Sequence, residues 1–91
     1  MFVLGKVERA QGQFADAEKH LLAAKKLATT KVPEIHAELS QLYANDLKKY
    51  GEAADELEQY IKASRLSAAD EKVARNKVED LRAKAKTQPT N

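Results

Sequence analysis

Apolar residues recur every three or four positions along this chain, in five separate segments. That spacing is typical of amphipathic α-helices, each of which buries one face. It predicts helices over residues 2–11, 14–28, 33–45, 50–64 and 68–86. Only three Gly and two Pro are present, and Ala, Leu, Glu and Lys are abundant, which favours helix and leaves little material for strands. We therefore predict an all-α fold with five helices.

Residues with special backbone preferences fall at the predicted boundaries. Gly12 can adopt the left-handed conformation that ends one helix and allows the next to begin. Pro33 suits the first turn of a helix, where its missing N–H costs nothing. Asn45 tolerates the conformations that close the third helix. Ser67 with Asp70 three residues later is typical of a capping box that opens the fifth.

Length and charge limit the classes of protein that the chain can belong to. Its 91 residues allow one domain, and the absence of cysteine excludes disulfides and thiolate chemistry. No apolar run approaches the roughly 20 residues needed to span a bilayer, so we expect a soluble protein of the cytoplasm or periplasm. The net charge of +2 is distributed as +3 over residues 1–33, −5 over 34–60 and +4 over 61–91. This unevenness is compatible with solvated helix faces, with contacts between neighbouring segments or with steering of a charged partner.

The chain also contains an internal repeat. The stretch FADAEKHLLAAKKLA (14–28) aligns with YGEAADELEQYIKAS (50–64) at an offset of 36, and the preceding helices align at an offset of 35. Each unit is a helix, a short turn, and a second helix that opens with an aromatic residue, two further residues and alanine. The aligned positions are Phe14 with Tyr50, Asp16 with Glu52, Ala17 with Ala53, Leu21 with Leu57, Leu4 with Leu39, and Gly5 with Ser40.

This pattern resembles the tetratricopeptide repeat, a 34-residue helix-turn-helix unit. The resemblance rests on Leu4, Gly5, Phe14, Ala17, Leu21 and Ala24 in the first unit and on Leu39, Ser40, Tyr43, Tyr50, Ala53 and Leu57 in the second. The run LYANDLKKYGEAADELEQYIK is similar to bacterial members of the family. The resemblance implies stacked antiparallel hairpins forming one domain over residues 1–86, with repeats at about 1–31 and 32–66 and a capping helix at about 68–86. Residues 87–91 are expected to be a disordered tail.

Three features depart from the family pattern. Glu8 stands where the family usually has an aromatic residue, whereas the equivalent residue of the second unit is Tyr43. Thr29 stands where a helix-ending proline is common. The second unit has one extra residue in its turn, around NDLKK.

Small residues on otherwise bulky helix faces indicate close contacts between helices. Helices approach to about 8 Å only where a side chain at the contact is small. Ala17 and Ala53 are therefore expected at helix contacts, with Gly5 and Ser40 opposite them. Tyr50, Leu57 and Tyr60 are expected to fill the space on either side of these contacts, and the further packing residues are Leu21, Leu39 and Tyr43.

The family resemblance implies a concave groove lined by the first helix of each pair, which takes an extended or helical peptide. The groove candidates at matching positions are Lys6, Arg9, Gln41, Asn45 and Asn76. They lack the asparagine needed for the carboxylate clamp that one subgroup uses to dock on chaperone C-termini. The expected function is a non-catalytic scaffold for a protein or peptide partner, with no cofactor.

Other functions have little support in the residues. His20 and His36 have no second His or Cys at ligand spacing, so we expect surface or structural roles and no metal site. The chain contains no nucleophile motif and no phosphate-binding loop, so an enzyme is not expected. The basic stretch RNKVEDLRAKAK is interrupted by acids and lacks aromatics, which argues against nucleic-acid binding. The apolar faces lack the aromatic anchors of a membrane-surface helix.

The alternative hypothesis is a structural self-association segment of a longer repeat array. The chain begins abruptly with MFVLG, which would leave Phe2 and Val3 partly uncovered. Arrays of this kind need about three units or a cap for stability. A homodimer through the first helix pair is therefore expected under this hypothesis.

Overall fold

The computed structural model describes residues 2–28 and 32–87, and every regular element in these ranges is helical. The prediction of an all-α fold with five helices is confirmed. The elements are α1 (Phe2–Ala10), α2 (Phe14–Leu27), α3 (Pro33–Gln41), a π-helical segment (Leu42–Asp46), α4 (Tyr50–Ala63) and α5 (Ala68–Thr87). Helix α5 includes Thr87, one residue more than predicted, and the rest of the predicted tail lies outside the described residues.

The helix boundaries follow local backbone chemistry. Gly12 has φ +80°, in the left-handed region, and it separates α1 from α2. Pro33 occupies the first turn of α3. The Ser67 hydroxyl accepts a hydrogen bond of 3.2 Å from the backbone N–H of Asp70, which satisfies one of the free donors at the start of α5.

The third helix differs from the prediction because its last turn is wider than an α-helical turn. Regular α-helix ends at Gln41, and the backbone N–H of Leu47 donates to the carbonyl of Leu42 at 2.9 Å, five residues earlier. A π-helical turn holds one more residue than an α-helical turn between its hydrogen-bonded partners. It lies between α3, which aligns with α1 at an offset of 35, and α4, which aligns with α2 at an offset of 36, so it accommodates the extra residue in the second unit.

The helices of the pairs α1–α2, α3–α4 and α4–α5 pack side by side and run antiparallel. Between α3 and α4, His36 contacts Glu56, and the later Ser40 contacts the earlier Ala53. The same reversal of order relates α1 to α2 and α4 to α5. The pairs that show it are Gly5 with Leu21, Glu8 with His20, Gly51 with Ala85, and Asp55 with Arg82. Helix α2 also packs against α3 and the π-helical segment.

One core is formed by buried residues of α2, α3, the π-helical segment, α4 and α5. Most of the residues expected to form the packing contacts are buried, and Tyr50 is half-buried. Gly5 is placed where an added Cβ would lie 2.7 Å from Leu21 Cγ, so α1 can approach α2 this closely only because residue 5 has no side chain. The buried hydrophobic residues are Ala17, Leu21, Ile35, Leu39, Leu42, Tyr43, Ala44, Ala53, Ala54, Leu57, Ile61, Val78 and Leu81.

Candidate binding cleft

The end of α1 and the end of α3 border an open cleft of about 460 Å³. Its polar lining comes from two cations and two anions, and its apolar lining comes from the residues around the α1–α2 turn. The lining residues are Lys6, Arg9, Ala10, Gly12, Phe14, Glu38 and Asp46. Two of the five predicted groove residues, Lys6 and Arg9, therefore line this cleft.

Arg9 links α1 to the third helix and its π-helical extension. Its Nε donates to Asp46 Oδ2 at 2.6 Å, and its side chain also donates to Gln41 Oε1 at 3.1 Å. A third acceptor, Glu38 Oε2, lies 3.6 Å away. The Arg9 side chain is 22 % exposed, so it is partly shielded from water at these contacts. The charge of Arg9 is thus balanced by carboxylates of the same chain. An arginine that is already paired does not fit the role of a clamp that holds a ligand carboxylate.

The three remaining groove candidates lie in different places. Gln41 is at the cleft through its contact with Arg9, and Asn45 is exposed in the π-helical segment. Asn76 lies in a separate depression of about 420 Å³ on α5, so it does not extend the row at the cleft. The depression is lined by residues of one stripe of α5, namely Val73, Asn76, Lys77, Asp80, Leu81 and Lys84.

Two buried glutamates form polar pairs that the sequence interpretation did not identify. Glu8 is buried and its Oε1 lies 2.6 Å from His20 Nδ1. Glu56 is buried between Lys25 Nζ at 2.6 Å and His36 Nδ1 at 2.8 Å. Both histidines therefore have structural partners, and each pair joins different helices. The sequence feature that could have predicted these pairs is a glutamate at a position on the buried face of its helix, because a buried carboxylate needs a partner.

Tyr43 of the π-helical segment makes a further polar contact, a hydrogen bond with Glu18 of α2. Burial raises the pKa of the Tyr43 hydroxyl well above its usual range, and a hydrogen bond to Glu18 raises it further because the phenol must stay protonated to donate. Lys49 forms an ion pair with Glu18 at 3.8 Å and its Nζ lies 6.0 Å from the centre of the Tyr43 ring. These contacts connect α2 to the segment that carries Asp46.

Within residues 2–28 and 32–87, no cluster of three His, Cys, Asp or Glu side chains could hold a metal ion. Among the same residues, no helix has both the length and the apolar character required to cross a bilayer. The cleft itself offers charged side chains, hydrogen-bonding groups and a small apolar wall.

Comparison with known protein families, characterised proteins and solved structures finds no match to this chain.

Proposed function

We propose that this chain is a non-catalytic protein-interaction scaffold of the tetratricopeptide type, which holds a peptide or protein segment in the cleft at Arg9. The observation that supports it is the meeting of two equivalent helices, α1 and α3, at one open cleft lined by side chains of both. Equivalent contacts within the two helix pairs support the repeat assignment. In the first pair the Gly5 position lies against the carbonyl of Ala17, and in the second Ser40 lies against the carbonyl of Ala53.

The lining of the cleft indicates what kind of segment would bind. Lys6 and Arg9 are balanced in number by Glu38 and Asp46, so the cleft does not select strongly for either sign of charge. Half-buried Phe14 adds an apolar wall. A polar peptide with a small apolar side chain fits such a surface, with hydrogen bonds setting its orientation. Binding would follow from complementary shape and polar contacts alone.

A peptide library of mixed sequence, screened against the whole chain, tests this proposal. Binding at the cleft should be lost in Ala10→Arg, because the added side chain fills the cleft from an exposed position without removing an ion pair. Arg9→Glu should also lose binding. The matched control for charge is Arg75→Glu, on the exposed surface of α5, which should bind like the unaltered chain. Peptides captured equally well by Ala10→Arg would refute binding in this cleft.

A second candidate is a structural packing segment, whose main task is to associate with further helices through α1. It is favoured by apolar side chains of α1 that are exposed to solvent, notably Val3 and Val7. Under this candidate, substitutions at the cleft have no effect on association, whereas substitutions on the exposed side of α1 do. Analytical ultracentrifugation or calorimetry on both sets of variants separates the two candidates.

A further inference from the structure

The depression that contains Asn76 lies along one side of α5. Its six lining residues form what we call the outer stripe: Val73, Asn76, Lys77, Asp80, Leu81 and Lys84. Helix α5 packs mainly against α4, and the outer stripe includes an apolar residue, Val73, that is 69 % exposed. Four members of the stripe lie within about 60° of one another around the helix, namely Val73, Lys77, Asp80 and Lys84. The outer stripe is therefore a narrow helix face against which another helix can pack.

The spacing of these four residues is that of a seam between paired helices. They follow one another at intervals of four, three and four residues, as the inward-facing positions of a heptad repeat do. The two central positions carry opposite charges, Lys77 and Asp80. Charged residues at such positions determine the orientation and register of the partner helix more than they add affinity. The charge pattern of the outer stripe therefore restricts which helix can bind.

The two central charges have no partner in the part of the chain that the structure describes. Among these residues, no ion pair includes Lys77 or Asp80, and both side chains are exposed. On the opposite side of α5, by contrast, Arg82 is bound to Asp55 at 3.1 Å and to Glu58. The guanidinium of Arg82 is thus satisfied by α4, whereas the charges of Lys77 and Asp80 are available to another molecule.

We infer that the outer stripe binds the same stripe of a second copy of this chain, with the two α5 helices antiparallel. A two-fold axis relates the copies of such a dimer, so if one residue faces a second, the second also faces the first. An axis between positions 78 and 79 places Lys77 of each copy opposite Asp80 of the other. The other facing pairs are Val73 with Lys84 and Asn76 with Leu81, so every residue of the outer stripe takes part.

The charges select this arrangement over its alternatives. In a parallel dimer each residue faces its own copy, so Lys77 would face Lys77 and Asp80 would face Asp80, and like charges opposite each other repel. An antiparallel dimer shifted by one heptad pairs Asp80 with Lys84, but the position opposite Val73 then lies beyond Thr87, where α5 ends. The first arrangement pairs both central charges and also covers Val73.

Apolar contact adds to the charge pairs at both ends of the stripe. Lys84 Nζ lies 5.7 Å from the centre of the Tyr50 ring, which holds the charge there and leaves the carbon chain of Lys84 to cover Val73 of the other copy. The contact extends over residues 73–84, about 18 Å of helix. Because a contact of this length buries less area than a standard protein interface, the dimer is weak and forms at high protein concentration.

Other occupants fit the outer stripe less well. A peptide with charges of one sign meets either Lys77 or Asp80 with a like charge. An apolar helix face, such as the exposed apolar side chains of α1 in a second copy, leaves both charges without a partner where the contact excludes water. The outer stripe of a second copy supplies both charges in the required order. It shares no residue with the cleft at Arg9, so the pairing of α5 helices is independent of peptide binding there.

Sedimentation equilibrium of the full chain, at concentrations up to about 1 mM and at low ionic strength, tests the pairing. The unaltered chain should approach twice the mass of one copy. Lys77→Glu and Asp80→Lys should each weaken the dimer at least about tenfold, because each places like charges opposite each other at both contacts. Both positions are exposed, so circular dichroism should show the same helix content in the variants as in the unaltered chain.

An equimolar mixture of the two variants is the decisive sample. In a dimer of one Lys77→Glu copy and one Asp80→Lys copy, each contact again joins an acid to a base, so the mixture should regain the dimer that each variant has lost. Lys72→Glu is the matched control, since it makes the same charge change at an exposed position about 140° around α5 from Lys77. It should dimerise like the unaltered chain, and so should Val7→Glu on α1.

Three results would overturn the inference. The first is an unaltered chain that is still monomeric at about 1 mM. The second is a mixture that dimerises no better than its two components, which would show that positions 77 and 80 do not face each other. The third is a dimer that Lys77→Glu leaves intact and Val7→Glu dissociates, which would assign self-association to α1.

Discussion

The Ser40 hydroxyl donates a hydrogen bond of 3.0 Å to the backbone carbonyl of Ala53 and thereby ties α3 to α4. The equivalent point of the first pair joins Gly5 to Ala17, where an added Cβ would lie 3.4 Å from the carbonyl oxygen. The pair α3–α4 makes this contact through the small polar side chain of Ser40, whereas the pair α1–α2 makes it at Gly5, which has no side chain. In both pairs, alanine on the second helix leaves room for the first helix.

Replacing this alanine should separate the two helices. Ala53 is fully buried, so the extra carbons of Ala53→Leu have no space and should destabilise the chain by roughly 1–3 kcal/mol. Urea unfolding followed by circular dichroism measures the change. Ala15→Leu, an exposed position near the start of α2, is the control for the substitution itself and should change stability by no more than about 0.5 kcal/mol. Equal stability of both variants would show that Ala53 is not a close contact.

Two glycines in helices should respond oppositely to alanine. Gly5→Ala places a Cβ 2.7 Å from Leu21 Cγ, so the fully buried Leu21 or the backbone of α1 must shift within the packed core, and this variant should be less stable. Gly51→Ala has its nearest neighbour, Ala85 Cβ, at 3.9 Å, and it should be more stable by up to about 1 kcal/mol because alanine restricts the unfolded chain. Thermal melts of the two single variants show whether each substitution raises or lowers the stability. A rise in the melting temperature of both variants would mean that α1 has room to shift.

The fold could be predicted because its helices follow a regular apolar pattern, which does not depend on distant residues. The π-helical segment could not be located in the same way. The change of offset from 35 to 36 showed that one residue is added between the aligned helices, but a longer loop and a wider helical turn have the same sequence spacing. The hydrogen bond from Leu47 to Leu42 shows that the wider turn is used.

The candidate site was less predictable because it depends on pairings between distant charges. Family resemblance placed Arg9 at the cleft, but its partner Asp46 is 37 residues away and lies in the π-helical segment. Glu8 was seen only as a departure from an aromatic position, whereas its side chain is buried against His20. Asn76 was grouped with the cleft by helix order, although it lies in a separate depression on α5.

Tyr43 should make the chain less stable in alkali. Its pKa is raised in the folded state, first by burial and then by the hydrogen bond to Glu18. The unfolded chain therefore loses the proton above a pH of about 10 while the folded chain keeps it, and the free energy of unfolding falls as the pH rises. Urea midpoints measured on both sides of that pH should fall less steeply in Tyr43→Phe. Tyr60→Phe retains the Tyr43 contribution, so it should keep the steeper slope.

Arg82 should control how the α4–α5 interface responds to acid. The Arg82 guanidinium donates hydrogen bonds to Glu58 and, at 3.1 Å, to Asp55. The hydrogen bond from Arg82 holds the pKa of Glu58 below its ordinary value. A depressed carboxyl pKa stabilises the folded state above the unfolded-state value of about 4.3, and this contribution is lost as the pH falls through the lower folded-state pKa.

In Arg82→Gln, the pKa of Glu58 should return toward that of an exposed glutamate, and the loss of stability between neutral and acidic pH should become shallower. NMR titration of the glutamate side-chain carboxyl carbons measures the first effect, and urea midpoints across the same pH range measure the second. Lys72→Gln removes the same charge from an exposed position of α5 and should leave the Glu58 titration unchanged. If both variants shift Glu58 equally, general charge on α5 rather than the Arg82 contact would determine its pKa.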